Sequence, residues 1–445
     1  MDIPENWGEM TWREKREVRF QRWLNPVDVK FVSPEAEKLY KERVNRFIKA
    51  IKMEEPDRVP VMLPTGNFPA YWGGSNFRTL MYDYEKGREI WKKYMEAFGD
   101  MDTFNGPSYI PSGKISEVVT SKVQKLPGLG LPEDAPMNQF VEGEYMKADE
   151  YDLFMLDPSD YNVRVMMPRT SDFFKSFAKL PSLRMSLGNP WVAAMADPDI
   201  RQTFRTLIDI SDEYIKWQNV SMEINDYIKS HGYPSLFGGM VFAPAPFDFF
   251  ADTLRGTRGI VIDMYRQPEK LHEAMEWCLK LAIETSIKNA PMSACPVCVM
   301  PLHKGDDVFM SDKQFEEFYW PGLRAVFMAM IEEGLVPVPF AEGRYTKRLR
   351  QIADTPKSGV VWWFDQTDMA RAKETLGDVC CIMGNVPTSI VMKGTTQQVK
   401  EYCRKLIEDC APGGGFILSG GATIDKGKIE NLQAMMEAAK EYGVY

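Results

Sequence analysis

Several things are missing from this sequence, and each absence narrows what it can be. No run of about 18 apolar residues occurs, so no transmembrane helix is expected. The opening stretch MDIPENWGEMTWREKREVRFQRW is charged and aromatic throughout, unlike a secretory signal. Cysteine is present seven times, including the adjacent pair Cys380 and Cys381, a pattern unlike a secreted disulfide framework. Positive charge is in deficit: 54 Lys and Arg against 63 Asp and Glu give a net charge of −9, which argues against a general nucleic-acid binder. Low-complexity tracts, linkers and internal repeats are absent as well. These features together predict a cytoplasmic protein with no membrane or nucleic-acid partner.

What the chain does have is material for a core. Hydrophobic residues make up 44% and aromatics 12%, enough to predict one large folded unit rather than disorder. The 28 methionines are mostly core filler, and some can line a pocket for an aromatic ligand, because thioethers pack well against rings.

The C-terminal third is the most regular part. Continuous apolar runs recur at 296–302 (PVCVMPL), 334–340 (GLVPVPF), 358–364 (SGVVWWF), 379–385 (VCCIMGN) and 413–419 (GGGFILS). Runs that are apolar throughout, rather than alternating, suit parallel strands buried on both faces. Amphipathic segments separate them, such as DKQFEEFYWPGLRAVFMAMIEEG and TQQVKEYCRKLIED, which implies βαβ units. Two earlier runs, DRVPVML (57–63) and SLFGGMVFAPAPF (235–247), raise the candidate strands to seven, one short of a closed (β/α)8 TIM barrel. The eighth strand is expected near Met101–Phe104 or within 182–192. Residues 1–55 form an N-terminal helical extension, and 56–445 form the barrel domain with an irregular Pro-, Gly- and Asp-rich insertion around 106–180.

In such a barrel the chemistry sits where strands end. The endings are PTGN (64–67), APAP (243–246), HKGDD (303–307), AEGR (341–344), DQTD (365–368), GN (384–385) and SGG (419–421). They offer His303, Asp307, Glu342, Asp365 and Asn385 as candidates. Glu342 stands out, because a carboxylate directly after PVPF is partly desolvated and its pKa should rise unless Arg344 pairs with it. Each candidate also has a plainer reading. Asp306 and Asp307 can cap the helix near Ser311, Asp368 can cap the next one, and His303 can be a structural hydrogen-bonder. Cys295-Pro-Val-Cys298 lacks a second pair at zinc-ribbon spacing and reads as buried thiols.

The segments DRVPV, APAPFDFFADTLRG with YRQPEKLHEAME, GVVWWFDQTDMARAKETLGDVCCIMGNVPTSIVMKGTTQQV, GGGFILSGGATID and ENLQAMMEAAKEYG resemble the uroporphyrinogen decarboxylase superfamily. The resemblance runs from about residue 45 to the C-terminus and is strongest over roughly the final 150 residues. It implies a (β/α)8 barrel and one of two activities, decarboxylation or corrinoid-dependent methyl transfer. The decarboxylases carry an Arg-Gln-Ala-Gly-Arg stretch after the first strand. Here the equivalent is Pro64-Thr65-Gly66-Asn67-Phe68, with no arginine from Val59 to Phe77, so the clamps for a polycarboxylate are missing.

The thiol-methylating members hold zinc through His-x-Cys and a later Cys. These positions fall on Phe340-Ala341-Glu342 and on Ala422, so two ligands are lost and the third is Glu342. Ether-cleaving members place a zinc-binding Glu 21 positions before a His. The residues 21 before His231, His272 and His303 are Ile210, Ala251 and Ala282. Any zinc site would therefore be assembled differently, with Glu342 and His303 as its first candidates.

The resemblance thus implies a methyltransferase that moves a methyl group from a small O-methylated, methoxy-aromatic compound to the cobalt of a corrinoid-binding partner protein. The expected roles are acid catalysis by Glu342, or by His303 with Asp307, supported by Asp365. Phe68, Tyr71, Trp72, Phe247, Arg344 and Asn385 are expected to hold substrate, with Trp362 and Trp363 further aromatic candidates. A divergent decarboxylase-like lyase acting on a smaller acid, held by Arg344 and Lys304, is the alternative. A non-catalytic binding protein on the same scaffold is a third. A homodimer is compatible with all three.

Overall fold

Nine strands form in chain order: β1 (Val61–Met62), β2 (Gln124–Pro127), β3 (Gly130–Leu131), β4 (Gln139–Phe140), β5 (Val297–Leu302), β6 (Val336–Ala341), β7 (Val361–Phe364), β8 (Cys381–Val386) and β9 (Phe416–Gly420). They are seen in a computed structural model that describes the chain except residues 1–2, 105, 107–109, 183, 185–188, 237–240, 242, 291 and 293–294. Six of them make one parallel sheet in the order β1-β9-β8-β7-β6-β5, with helices between successive strands. Each of the five C-terminal apolar runs is one of these strands. Burial on both faces explains why they read as continuous rather than alternating.

The two faces nevertheless separate cleanly by parity. Val336, Val338 and Phe340 of β6, Val361 and Trp363 of β7, Cys381 and Met383 of β8, Ile417 of β9, Met62 of β1 and Val297 of β5 share one core. Their neighbours Ala341, Trp362, Phe364, Ile382 and Leu418 belong to the outer core under the helices. Because β1 and β5, the two edges of the sheet, send side chains into the same inner cluster, the sheet is curled.

The N-terminal helices complete that inner core. Thr11 opens the helix Trp12–Leu24 with a capping box to Glu14, and Ser33 caps Pro34–Ile51. Phe20, Trp23, Tyr40, Val44 and Phe47 then pack into the inner cluster. Arg16, 4% exposed, donates to the carbonyls of Ser358, Gly359 and Leu335, and Arg19 Nε donates to Glu333 O at 2.7 Å. These bonds tie the first helix to the N-terminal ends of β6 and β7. The opposite ends of the strands are left for chemistry.

The structure bears on three expectations. Met101–Phe104 is buried but not a strand. The Val61 N–H that would face it is taken by the Asp102 carboxylate at 2.9 Å, which also binds Arg46 and Arg58. Of the alternative stretch 182–192, residues Asn189–Ala194 are helical and 183 and 185–188 lie outside the described residues. The strand expected at 235–247 also lies partly outside them, at 237–240 and 242, and its end is helical from Pro246. Finally, the described residues of 106–180 hold short helices and the small sheet β3-β2-β4, whose brevity makes the sequence look patternless. Among the described residues no helix is long and apolar enough to cross a membrane.

Candidate functional site

Parity in the strands fixes which side chains meet at the open end. In the register of the sheet Leu302 pairs with Ala341, and Ala341 with Phe364. One residue further on, His303, Glu342 and Asp365 stand in one layer and on the inward parity. Two ladder bonds carry the register that far, Glu342 N to Leu302 O at 3.3 Å and Asp365 N to Ala341 O at 3.4 Å. After Glu342 the chain turns at Gly343, whose φ of +83° is one that side-chain-bearing residues rarely adopt, and its N–H donates to Asp365 Oδ2 at 3.1 Å.

His303 is the hub. Its Nδ1 lies 2.6 Å from Asp252 Oδ2 and its Nε2 3.8 Å from Glu342 Oε1. Asp252 comes from a π-helical turn, Phe249–Arg255, that follows the Pro246 helix start. Its other oxygen is 3.5 Å from Lys304 Nζ, which donates to Thr257 Oγ1 at 2.8 Å. One turn earlier, Asp248 is buried and accepts from the backbone N–H groups of His303 and Lys304 and from Tyr319 OH at 3.0, 3.2 and 2.7 Å. Thus Asp248 fixes the backbone of the His303 loop while Asp252 fixes the ring.

These environments set the protonation states. The Asp252 hydrogen bond, with further negative charge from Glu342 and Asp248, lifts His303 from 6.5 to about 9, so the ring is an imidazolium at neutral pH. Burial raises Glu342 above the usual carboxylate range; Asp365 and Asp252 add to this and His303 opposes it. Burial likewise raises Asp365, and it pushes Asp248 up to about 6. The result is a charged ring beside a carboxyl whose pKa burial has raised, both half-exposed.

His303, Glu342, Asp248, Asp252, Lys304 and Glu142 line a cavity of about 530 Å³ whose remaining wall is apolar except for Thr253, and includes Phe140, Val241, Phe249, Val299, Met300 and Pro301. A second cavity of about 380 Å³ lies alongside and has no charged side chain in its lining among the described residues. The first is the candidate site because it sets groups that can move a proton beside apolar side chains at the strand ends.

Several expected residues stand elsewhere. Asp307 is not the partner of His303. Its side chain is 4% exposed and accepts from Lys347 N–H, which ties two loops together. Arg344 is exposed, does not line the cavity and makes no pair with Glu342. Phe68 and Phe247 are buried in the outer core, and Trp72 packs edge-on against Tyr94. Tyr71 donates to Pro136 O, and Lys426 lies over its ring. Asn385 is buried and donates to Thr367 O at 2.8 Å. Trp363 faces inward, where its Nε1 is satisfied by Gly420 O, and Trp362 faces the helices. Asp368 caps its helix, as the plainer reading expects, whereas the helix at Asp312 is capped by Ser311 and not by Asp306 or Asp307.

Sequence reasoning missed Asp248, Asp252 and Glu142, and considered Lys304 only as a partner for a substrate carboxylate. The i, i+4 spacing of Asp248 and Asp252 in PFDFFADT was the available signal, since it puts both carboxylates on one side of a helical turn. As for zinc, no three His, Cys, Asp or Glu side chains converge to hold a metal ion among the described residues. Phe340 and Ala422, the positions where the resemblance implies ligands, belong to or pack against the inner core and carry no donor, which leaves fewer than the three protein ligands a zinc site needs. This donor set does not fit zinc, and no step is derived through it.

With this geometry, comparison with known proteins is informative. Residues 236–442 match the family described as Uroporphyrinogen decarboxylase (URO-D), and this part of the chain is similar to that family. The chain is 26% identical over 188 residues to a uroporphyrinogen decarboxylase of Chlorobaculum parvum, a match covering 40% of this chain. It spans about half (51%) of the length of that relative. A solved methyltransferase from Methanosarcina mazei superposes with a TM-score of 0.55 at 15% identity, over 91% of this chain and 98% of the other, and so shares the fold.

Proposed function

We propose that this protein is a methyltransferase that takes a methyl group from a small methoxylated aromatic compound and delivers it to a corrinoid-binding partner protein. The observation that carries the reading is the His303–Asp252 pair facing Glu342 against an apolar wall. A methyl ether leaves as an alkoxide or phenolate, which is a poor leaving group unless a proton reaches its oxygen. The imidazolium of His303 presents Nε2–H to the cavity while Asp252 holds Nδ1–H, so one proton is poised for the ether oxygen. Glu342, half-exposed and with a raised pKa, returns a proton from solvent to the ring. Such acid catalysis contributes about 10²–10⁴-fold.

The reduced cobalt of the partner's corrinoid would supply the nucleophile for the methyl carbon. The open cavity, with His303 and Glu342 both half-exposed, fits an acceptor carried on a second protein. Phe140 and Phe249 are the aromatic side chains placed to contact the ring, in place of those expected near β1. The scaffold is read as a (β/α)8 barrel over residues 56–445, with 1–55 as an extension that closes its N-terminal end.

A decarboxylase-like lyase is the competing reading, favoured by the name of the Chlorobaculum parvum relative. The lining speaks against a polycarboxylate substrate, because it holds four carboxyl groups, Glu142, Asp248, Asp252 and Glu342, and its lysine is already beside Asp252. Incubation of the protein with a panel of methoxylated aromatics and cob(I)alamin tests the proposal. Methyl-corrinoid formation that falls at least tenfold in His303→Gln supports it. Carbon dioxide release that needs no corrinoid decides for the lyase.

A further inference from the structure

The second cavity shares Pro244, Phe249 and Thr253 with the first. The π-helical turn Phe249–Arg255 is the partition between them. It turns Asp252 to the charged side and Leu254 to the other, while Phe249 contributes to both walls. Beyond the partition lie Phe154, Tyr161, Leu279 and Ala282, with Asn162 and Ser286 as uncharged polar groups. The two cavities, about 530 and 380 Å³, are each the size of a small-molecule site. They differ in one respect: all the charged groups are on one side.

We propose that the second cavity is a tail compartment of the same substrate site, taking an uncharged apolar substituent that the methyl donor carries away from its methoxy group. The inference rests on the methyl-donor reading for the head, and on the shared wall and the charge segregation for the tail. An apolar chain passing beside Phe249 leaves the charged cavity for a lining that offers it only apolar and neutral surface. A carboxylate or ammonium at the tail end would be desolvated there without a partner, so charged tails are excluded. The substrate class is therefore an aryl methyl ether with an alkyl or aryl substituent, rather than a methoxybenzoate whose carboxylate lies in the second cavity.

The test is a binding ladder on the full chain, read by calorimetry. Two series are titrated: 4-n-alkylanisoles and n-alkylbenzenes, each from methyl to hexyl. Burial of one methylene group predicts a fall in Kd of about fourfold per carbon until the compartment is full. Ala282→Phe, and separately Ser286→Trp from the same cavity lining, should flatten the ladder while leaving the Kd of 4-methylanisole within about twofold. Two variants guard against one failing to fold.

A flat ladder in the unaltered protein, or a ladder that neither filling variant changes, overturns the proposal. Methyl transfer from 4-methylanisole with a flat ladder overturns the compartment alone. An alkylbenzene ladder abolished by Ala282→Phe, without methyl transfer from any anisole, supports the compartment and overturns the methyl-donor reading.

Discussion

Replacing Asp252 by asparagine should change the charge of His303 more than any other single substitution in the site. The carboxylate 2.6 Å from Nδ1 is the largest cause of the rise from 6.5 to about 9. In Asp252→Asn the side-chain amide leaves a neutral acceptor in place, so the ring keeps its position but loses the charge that favours protonation. Its pKa should fall back toward 6.5. At pH 8 the protonated fraction then drops from about nine-tenths to about 3%, roughly thirtyfold. If His303 is the acid, methyl transfer at pH 8 should fall by a comparable factor and recover in part near pH 6.

The assay is a proton-detected titration of the histidine rings, which is tractable because the chain has three histidines and His303→Gln removes one signal. The same shift carries a stability signature. A histidine whose folded pKa is raised stabilises the fold fully below about 6.5, and that contribution is lost as pH rises through about 9. The unaltered protein should therefore lose more stability than Asp252→Asn between those limits. A ring that titrates near 6.5 in the unaltered protein, or near 9 after the substitution, would refute the reasoning.

Other perturbations follow from the same geometry. Glu342→Gln should lower methyl transfer at least tenfold with little change in melting temperature, because the side chain is half-exposed and its role lies in proton delivery. Asp102→Ala should cost about 3 kcal/mol in a urea titration, since it leaves the part-buried Arg58 charge and the Val61 N–H without their carboxylate and Arg46 with Asp57 alone. Gly343→Ala should destabilise by about 1–3 kcal/mol, because φ is +83° and the new methyl would stand 2.8 Å from Asp306 Oδ2. Dialysis against a chelator should leave activity unchanged, since the donor set of the cavity does not fit a metal ion.

The parallel sheet was readable because its strands are buried on both faces, so each appears as an uninterrupted apolar run with a polar end. Period-two parity then puts His303, Glu342 and Asp365 on the inward side, so the strand endings bring these groups together. The helix Pro198–Ser230 was not readable, because of its 33 residues only Ile200, Thr203, Ile224 and Ile228 are buried and no apolar stripe marks it. The partner of His303 was misjudged for a different reason. Asp307 is four residues away in sequence, but its carboxylate is spent on Lys347 N–H, while Asp252 is brought in from 51 residues upstream by the π-helical turn. The aromatic residues after β1 look like a pocket mouth in sequence, yet Phe68 and Trp72 pack under helices. Composition does not reveal which way a short helix faces.

The central claim is that the layer of His303, Asp252 and Glu342 activates a methyl ether toward a corrinoid acceptor. Single-turnover methyl transfer from a methoxylated aromatic to cob(I)alamin, followed by its spectral change, tests it most directly. The account predicts stoichiometric transfer of the methyl group with release of the free phenol, slowed at least tenfold in His303→Gln and in Glu342→Gln. Transfer at the same rate in both variants would contradict it, as would carbon dioxide release from a carboxylic acid in the absence of any corrinoid.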